Sequence, residues 1–216
     1  QPQFNAWKRR RATVMIKTTT VRVVEAAEEL FYEHGLRSVS VDAIAERAGV
    51  TKRTLYNHFE SKDALIAAYL EARDTPTVER YRGWLGDPAL PMSDRIAMMF
   101  AALAHHAGRP KWRGCGFTRA AVELAGQPGH PAILMAAKHK KRFEAWLELE
   151  LSAGNVTQPR KLARNITLLI EGAIAQMLIH RDTTYAISAG EAAAMLVAAD
   201  AQAGLPRPTE PDRYTD

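Results

Sequence analysis

The sequence predicts an all-α protein, a small three-helix N-terminal domain followed by a larger helical bundle. Apolar residues recur at helical spacing along most of the chain, clusters of proline and glycine divide those runs, and no stretch alternates apolar and polar residues as a half-buried strand does. No internal repeat or low-complexity block interrupts this pattern. The expected organisation is a basic arm or leader over residues 1–17, a helix-turn-helix domain over 18–62, a helical bundle over 63–203 and a loose tail over 204–216.

The first helix is expected to present Val21, Val24, Ala27, Leu30 and Phe31 as its apolar stripe, with Gly35 closing it in a left-handed cap. Ser40 caps a second, short helix that starts at Asp42, turns Ile44, Ala45 and Ala48 inward and stops at Gly49. The tripeptide Ala48-Gly49-Val50 has what a tight turn between two helices needs: a small residue at the crossing, a glycine free to take positive φ, and a buried apolar side chain. Thr51 caps the third helix. With Val50, Leu55 and Phe59 inward, Lys52, Arg53, Thr54, Tyr56, Asn57 and His58 form a dense hydrogen-bonding outer surface, a poor core and a good groove reader.

Beyond residue 62, Ser61 caps a helix carrying Leu65, Ile66, Tyr69 and Leu70 inward toward Tyr81. After a break from Gly83 to Pro91, Ser93 is expected to cap a helix whose Ile96, Met99, Phe100 and Leu103 share a face. A loop from Gly108 to Gly116 leads to a short helix, Phe117 to Ala125, and Gln127-Pro128-Gly129 stops it. Pro131 opens a long helix containing Ile133, Leu134, Phe143, Trp146, Leu147 and Leu151. Two helices remain, Lys161 to His180 and an alanine-rich stretch from about Ser188 to Ala201. The first is apolar round most of its circumference and the second offers Ala192, Ala193, Met195, Leu196 and Ala199, more apolar surface than one bundle edge needs, to be used either as core or as a subunit interface.

Charge and composition narrow the function. Net charge is +5, and residues 1–62 hold 11 Lys/Arg against 7 Asp/Glu while the rest of the chain is nearly balanced. Four of the early charges, Lys8-Arg9-Arg10-Arg11, form either an arm that follows phosphates or enters a minor groove, or a leader upstream of Met15. With one cysteine there is no internal disulfide, and no apolar run is expected to span a bilayer, because Glu171 and Gln176 interrupt the best candidate, Thr167 to Ile179. A cytoplasmic protein is the expectation. Enzyme chemistry is disfavoured: there is no glycine-rich phosphate loop, no nucleophile beside a recognisable base and no carboxylate pair at catalytic spacing. No cofactor or metal is expected, since the paired His105 and His106 lack further ligands.

The N-terminal segment resembles the DNA-binding domain of the TetR family of bacterial transcriptional regulators. The motifs that carry the resemblance are Arg22-Val23-Val24-Glu25-Ala26-Ala27, Leu30-Phe31-Tyr32-Glu33-His34-Gly35, Ile44-Ala45, Ala48-Gly49-Val50, Thr54-Leu55-Tyr56, His58-Phe59 and Ser61-Lys62-Asp63-Ala64-Leu65, in unbroken order. The resemblance implies a ligand-responsive regulator, most often a repressor, that binds a palindromic double-stranded DNA operator as a homodimer through its last two helices. An activator, or an accessory protein of the same fold with weakened DNA binding, is the alternative. It also implies that Thr51, Tyr56, His58 and Lys62 lie at the phosphate backbone, with packing against the first helix an equal alternative for Tyr56, that Ser40 belongs to the DNA-binding set, and that Lys52, Arg53, Thr54 and Asn57 reach base edges. Two residues depart from common family choices: Asp42, read as a charge complementing the helix dipole, and Arg53, which fills a place often held by a small residue and either reads a base or holds phosphate. The family holds its effector in the bundle core. Here Met99, Phe100, Leu103, Phe117, Trp146 and Gln176 are candidate lining, although each taken singly reads more readily as ordinary core or surface, and an apolar or aromatic effector is expected because no cluster of charges marks a pocket. Cys115, between Gly114 and Gly116, is either a thiol sensor or a small residue at a helix entrance.

Overall fold

The computed structural model describes residues 17–203, so the basic cluster Lys8 to Arg11 and the tail after Ala203 lie outside the described residues. Among the described residues there are nine helices and no strand. Helices α1 (Thr19–His34), α2 (Val41–Ala48) and α3 (Lys52–His58) precede α4 (Lys62–Trp84), a helix of 23 residues shared by both halves of the molecule. Its first turns send Leu65, Ile66, Tyr69 and Leu70 into a core with α1, α2 and α3, and its last turns send Val78 and Tyr81 into the bundle core. Helices α5 (Met92–Ala107), α6 (Gly116–Glu123), α7 (Pro131–Ala153), α8 (Pro159–His180) and α9 (Thr184–Ala203) complete the bundle.

Local chemistry explains most boundaries. The hydroxyls of Thr18, Ser40, Thr51 and Ser61 each accept a hydrogen bond from the first turn of the helix they precede, a contribution of about 1 kcal/mol apiece. Gly49 ends α2 at φ 66 and ψ 39, left-handed as its place in the turn requires. Gly35 also takes positive φ, but at φ 89 and ψ 163 it lies outside the left-handed helical region of the cap expected, in a conformation open to glycine. At α5 the cap is Pro91 without a side-chain bond, and Ser93 already lies inside the helix. α9 starts four residues before Ser188 because the Asp182 carboxylate accepts from both the amide and the hydroxyl of Thr184.

Packing corrects three further expectations. α1 buries Val23, Ala26, Ala27 and Phe31, whereas Val21 is exposed; Val23 lies about 200° round the helix from it, on the side the neighbouring helices cover. On α7, Leu134 faces outward while Phe143, Trp146, Leu147 and Leu151 are buried. On α9, Ala193 belongs to the buried face with Ala186, Gly190 and Val197, and only Ala192, Met195, Leu196 and Ala199 share the outer one. Gly190 is the reason α9 seats so closely on α5: a Cβ there would lie 2.5 Å from Phe100 Cβ. Beside this outer face runs a second, on α8, where Leu168 and Ile179 are 65% and 69% exposed with Gly172 and Ala175 between them. Among the described residues α8 is, contrary to the sequence expectation, long and apolar enough to cross a membrane by length and composition, with a mean hydropathy of 1.4. Glu171 and Gln176 do not offset its many aliphatic residues. Its buried side, including Ile166, Ile170 and Ile174, is part of the bundle core.

The N-terminal core does not close at residue 62. Phe117, Ala120 and Leu124 of α6 and its following turn, with Ala132 and Ala136 of α7, complete the cluster around Phe31 and Tyr69. The small three-helix unit therefore rests directly on the helices of the bundle.

Candidate functional site

The outer surface of α3 is built by a helix of seven residues held from both ends and one side. Thr51 Oγ1 accepts from the Thr54 amide at 3.0 Å, and Leu55 and Phe59 anchor the helix in the core. This leaves Lys52, Arg53, Tyr56, Asn57 and His58 exposed and Thr54 half-buried on one face. Ser40 is exposed too, with its hydroxyl accepting from the Ala43 amide at 3.1 Å, so Ser40 and Thr51 act first as helix caps. The turn is braced from outside the motif: Arg22 of α1 donates to the carbonyl oxygens of Ala48 and Gly49.

Besides Thr54, whose Oγ1 lies 2.8 Å from Thr51 Oγ1, three side chains at this surface have intramolecular partners that spacing did not reveal. Lys52 Nζ lies 3.0 Å from Asp42 Oδ2, an exposed pair whose hydrogen bond pushes the lysine above its ordinary pKa. Asp42 thus balances the reader's charge as well as the helix dipole. His58 Nδ1 lies 3.1 Å from Thr20 Oγ1, tying the end of α3 to the start of α1. Lys62 Nζ donates to the Arg37 carbonyl at 3.4 Å and sits 6.0 Å from the centre of the Phe31 ring, and burial holds it below the usual lysine range. Arg53, Tyr56 and Asn57 carry no such tie among the described residues, which leaves them the side chains freest to meet a ligand on this surface.

A second site lies in the bundle. A partly open cavity of about 50 Å³, room for a few waters, lies where α4, α5, α6, α7 and α8 meet. Of the expected lining residues, Leu103 and Phe117 reach it, with His106. Met99, Phe100 and Trp146 are close-packed core outside it, and Gln176 is exposed on the outer flank of α8. The walls that spacing missed are aromatic and charged: Tyr81, Trp84, Trp112 and Phe143, together with Arg73, Arg80, Lys140 and Glu171. These come from α4, α7, α8 and the connection before α6, distant in sequence, so no single local cluster announced them. Lys140 is paired with Glu171 and lies 3.3 Å from Cys115 Sγ, and Thr118 donates to Glu171 at 2.6 Å. Below, the His139 ring stacks on Phe117 at 3.6 Å and meets Asp74 at 2.6 Å. Burial pushes the Asp74 carboxyl up, but hydrogen bonds from His139 and Arg142 outweigh it and hold the acid below its usual range.

The two sites share α6. Its first turn and the residues before it, Gly114 to Phe117, line the cavity. The same segment grips α1: Tyr32 hydroxyl donates to the Gly114 carbonyl at 3.2 Å and accepts from the Arg113 amide at 2.9 Å, and Arg119 donates to the Tyr32 carbonyl at 2.7 Å. At the other end of α6, Glu123 accepts from the backbone amides of Leu36 and Arg37 at 2.9 and 2.6 Å, in the connection between α1 and α2.

A helix-turn-helix with an open polar face, seated on a bundle with an internal cavity, defines a two-part regulatory protein. Residues 23–69 match the family described as bacterial regulatory proteins, tetR family. A TetR transcriptional regulator from Streptomyces avermitilis is 31% identical, with a TM-score of 0.69 over 82% of this chain and 98% of that one. A TetR-family transcriptional regulator from Streptomyces coelicolor is 27% identical, with a TM-score of 0.70 over 83% of this chain and 95% of the other. The HTH-type transcriptional regulator UidR of Escherichia coli is 39% identical over 64 residues, 30% of this chain and 33% of UidR, so the chain spans about a third of that relative's length. The HTH-type transcriptional repressor KstR2 of Mycobacterium tuberculosis is 28% identical over 130 residues, 59% of this chain and 62% of KstR2. The chain belongs to the TetR family of bacterial regulatory proteins, a family of transcriptional regulators and not of enzymes.

Proposed function

We propose that this protein is a cytoplasmic transcriptional repressor that binds a palindromic DNA operator as a homodimer and leaves it when a small molecule enters the bundle cavity. The observation that carries the reading is the face of α3: a helix anchored by Leu55 and Phe59 displays Arg53, Tyr56 and Asn57 to solvent with no intramolecular duty among the described residues. Arg and Asn suit bidentate contact with guanine and adenine edges, each worth about 1–3 kcal/mol of discrimination. The phenol of Tyr56, the hydroxyls of Ser40 and Thr51, His58 and Lys62 are suited to phosphate oxygens, while Lys52 and Thr54 join Arg53 and Asn57 toward the base edges.

The outer faces of α8 and α9 support the dimer. Leu168, Ile179 and Met195 are each more than 60% exposed, and the small residues between them let two copies approach closely. A twofold dimer sets the readers about 34 Å apart, one turn of B-DNA, and so calls for a palindrome. Ligand in the cavity acts by linkage: α6 lines the cavity and holds Tyr32, Leu36 and Arg37, so a shift of α6 moves the reader's base. Repression rather than activation is favoured by the relative named a repressor.

The division of roles is testable by binding to a panel of operators differing at single base pairs. Tyr56→Ala is expected to weaken all of them alike, while Arg53→Ala and Asn57→Ala change their order. The reverse pattern would overturn the assignment.

A further inference from the structure

Resting on the reading of the cavity as the effector site, we propose that its ligand is a flat aromatic anion, a carboxylate on a single ring, held among aromatic walls with its charge toward Arg80. The walls determine the body of the ligand. Tyr81, Trp84, Phe143 and Phe117 line the cavity from three helices, and the Trp84 ring meets His106 at 5.4 Å with a tilt of 52°, so an apolar ring finds aromatic neighbours on several sides.

The charges determine its polarity. Three cations, Arg73, Arg80 and Lys140, line the cavity against one carboxylate, Glu171. Two of the cations are taken: Lys140 is bound to Glu171, and Arg73 to Glu28 of α1. Arg80 has no carboxylate within ion-pair distance among the described residues, although it stands on the same helix and the same cavity. Arg80 is exposed at the edge of the cavity, where water solvates its guanidinium, so a neutral ligand gains nothing from its charge and a cationic one is repelled. A carboxylate completes the guanidinium with a charge-assisted, bidentate bond.

The polar neighbour at this end agrees. Burial, then the positive charges of Arg80, Arg109 and Arg73, push the His106 imidazole down to about 4, so at neutral pH it is uncharged and offers one donor and one acceptor beside the guanidinium. A multiply charged phosphate finds only one unpaired cation here, so the single carboxylate is the better match. Size favours a small ligand: about 50 Å³ holds a few waters, so even one ring enters only as the exposed Arg80 and half-buried Trp84 move aside.

Isothermal titration of the full chain with benzoate, benzamide and benzylamine, which differ little except in charge, tests the inference. Benzoate is expected to bind at least about tenfold tighter than benzamide, as one charge-assisted bond gives, with benzylamine weakest. In Arg80→Gln the benzoate preference should vanish while benzamide binding is unchanged, and Arg80→Lys should keep part of it. Benzamide or benzylamine binding as well as benzoate would overturn the anion and leave the cavity as a ligand site. A preference for benzoate that survives Arg80→Gln would overturn the role of Arg80. Failure of all three to bind would overturn the ligand class together with the cavity as the effector site.

Discussion

Removing Glu123 should loosen the joint between reader and bundle by a calculable amount. Its carboxylate accepts from the amides of Leu36 and Arg37, at 2.9 and 2.6 Å, and among the described residues no other side chain bonds to those amides. A hydrogen bond to a charged group contributes about 1.5–3 kcal/mol when shielded, and a solvent-exposed one much less because water replaces it. Leu36 is buried and Arg37 exposed, so the first bond should retain most of its value and the second little. Glu123→Ala is therefore expected to lower unfolding free energy by about 2 kcal/mol, and Glu123→Gln, which keeps one acceptor oxygen, by about half that. Urea unfolding followed by circular dichroism, at one fixed protein concentration so that association does not vary, measures both. An alanine variant within about 0.5 kcal/mol of the parent would refute the claim that this carboxylate ties α6 to the reader.

Other perturbations test the packing, the titration and the assembly. Gly190→Ala puts a methyl group 2.5 Å from Phe100 Cβ and should cost about 1–3 kcal/mol, while Gly83→Ala, open on all sides and inside α4, should gain about 0.5–1 kcal/mol; equal thermal shifts would contradict the close approach of α9 to α5. His106 is held near 4 in the folded chain and returns to about 6.5 on unfolding, so the unfolded state takes up the proton first. Stability from this group is complete above about pH 6.5 and is lost as pH falls toward 4, and His106→Gln should flatten that part of the stability profile. Leu168→Glu and Ile179→Glu place charges on the exposed face of α8 and should give folded monomers by light scattering; unaltered dimers would place the subunit contact elsewhere.

What was legible in the sequence was local. The caps at Ser40, Thr51 and Ser61, the left-handed Gly49 and the inward Leu55 all depend on neighbours a few residues away, and the helix-turn-helix is assembled from them. What was not legible depended on distant partners. The apolar residues of α1 cover more than one face, and only the neighbouring helices decide that Val23 rather than Val21 is inside. Asp42 and Lys52 are ten residues apart on different helices, and their pairing follows from the angle of the turn. The cavity was misjudged in the same way: Arg73 and Arg80 come from α4, Lys140 from α7 and Glu171 from α8, so a pocket with charged walls had no linear signature.

The most direct test of the central claim is selection of bound sequences from a random pool of duplex DNA by the full chain. The account predicts enrichment of an inverted repeat whose half-site centres lie about one helical turn apart, as two copies of α3 in a twofold dimer require. A pool that stays random, or one that converges on a single half-site without its mirror image, would contradict it.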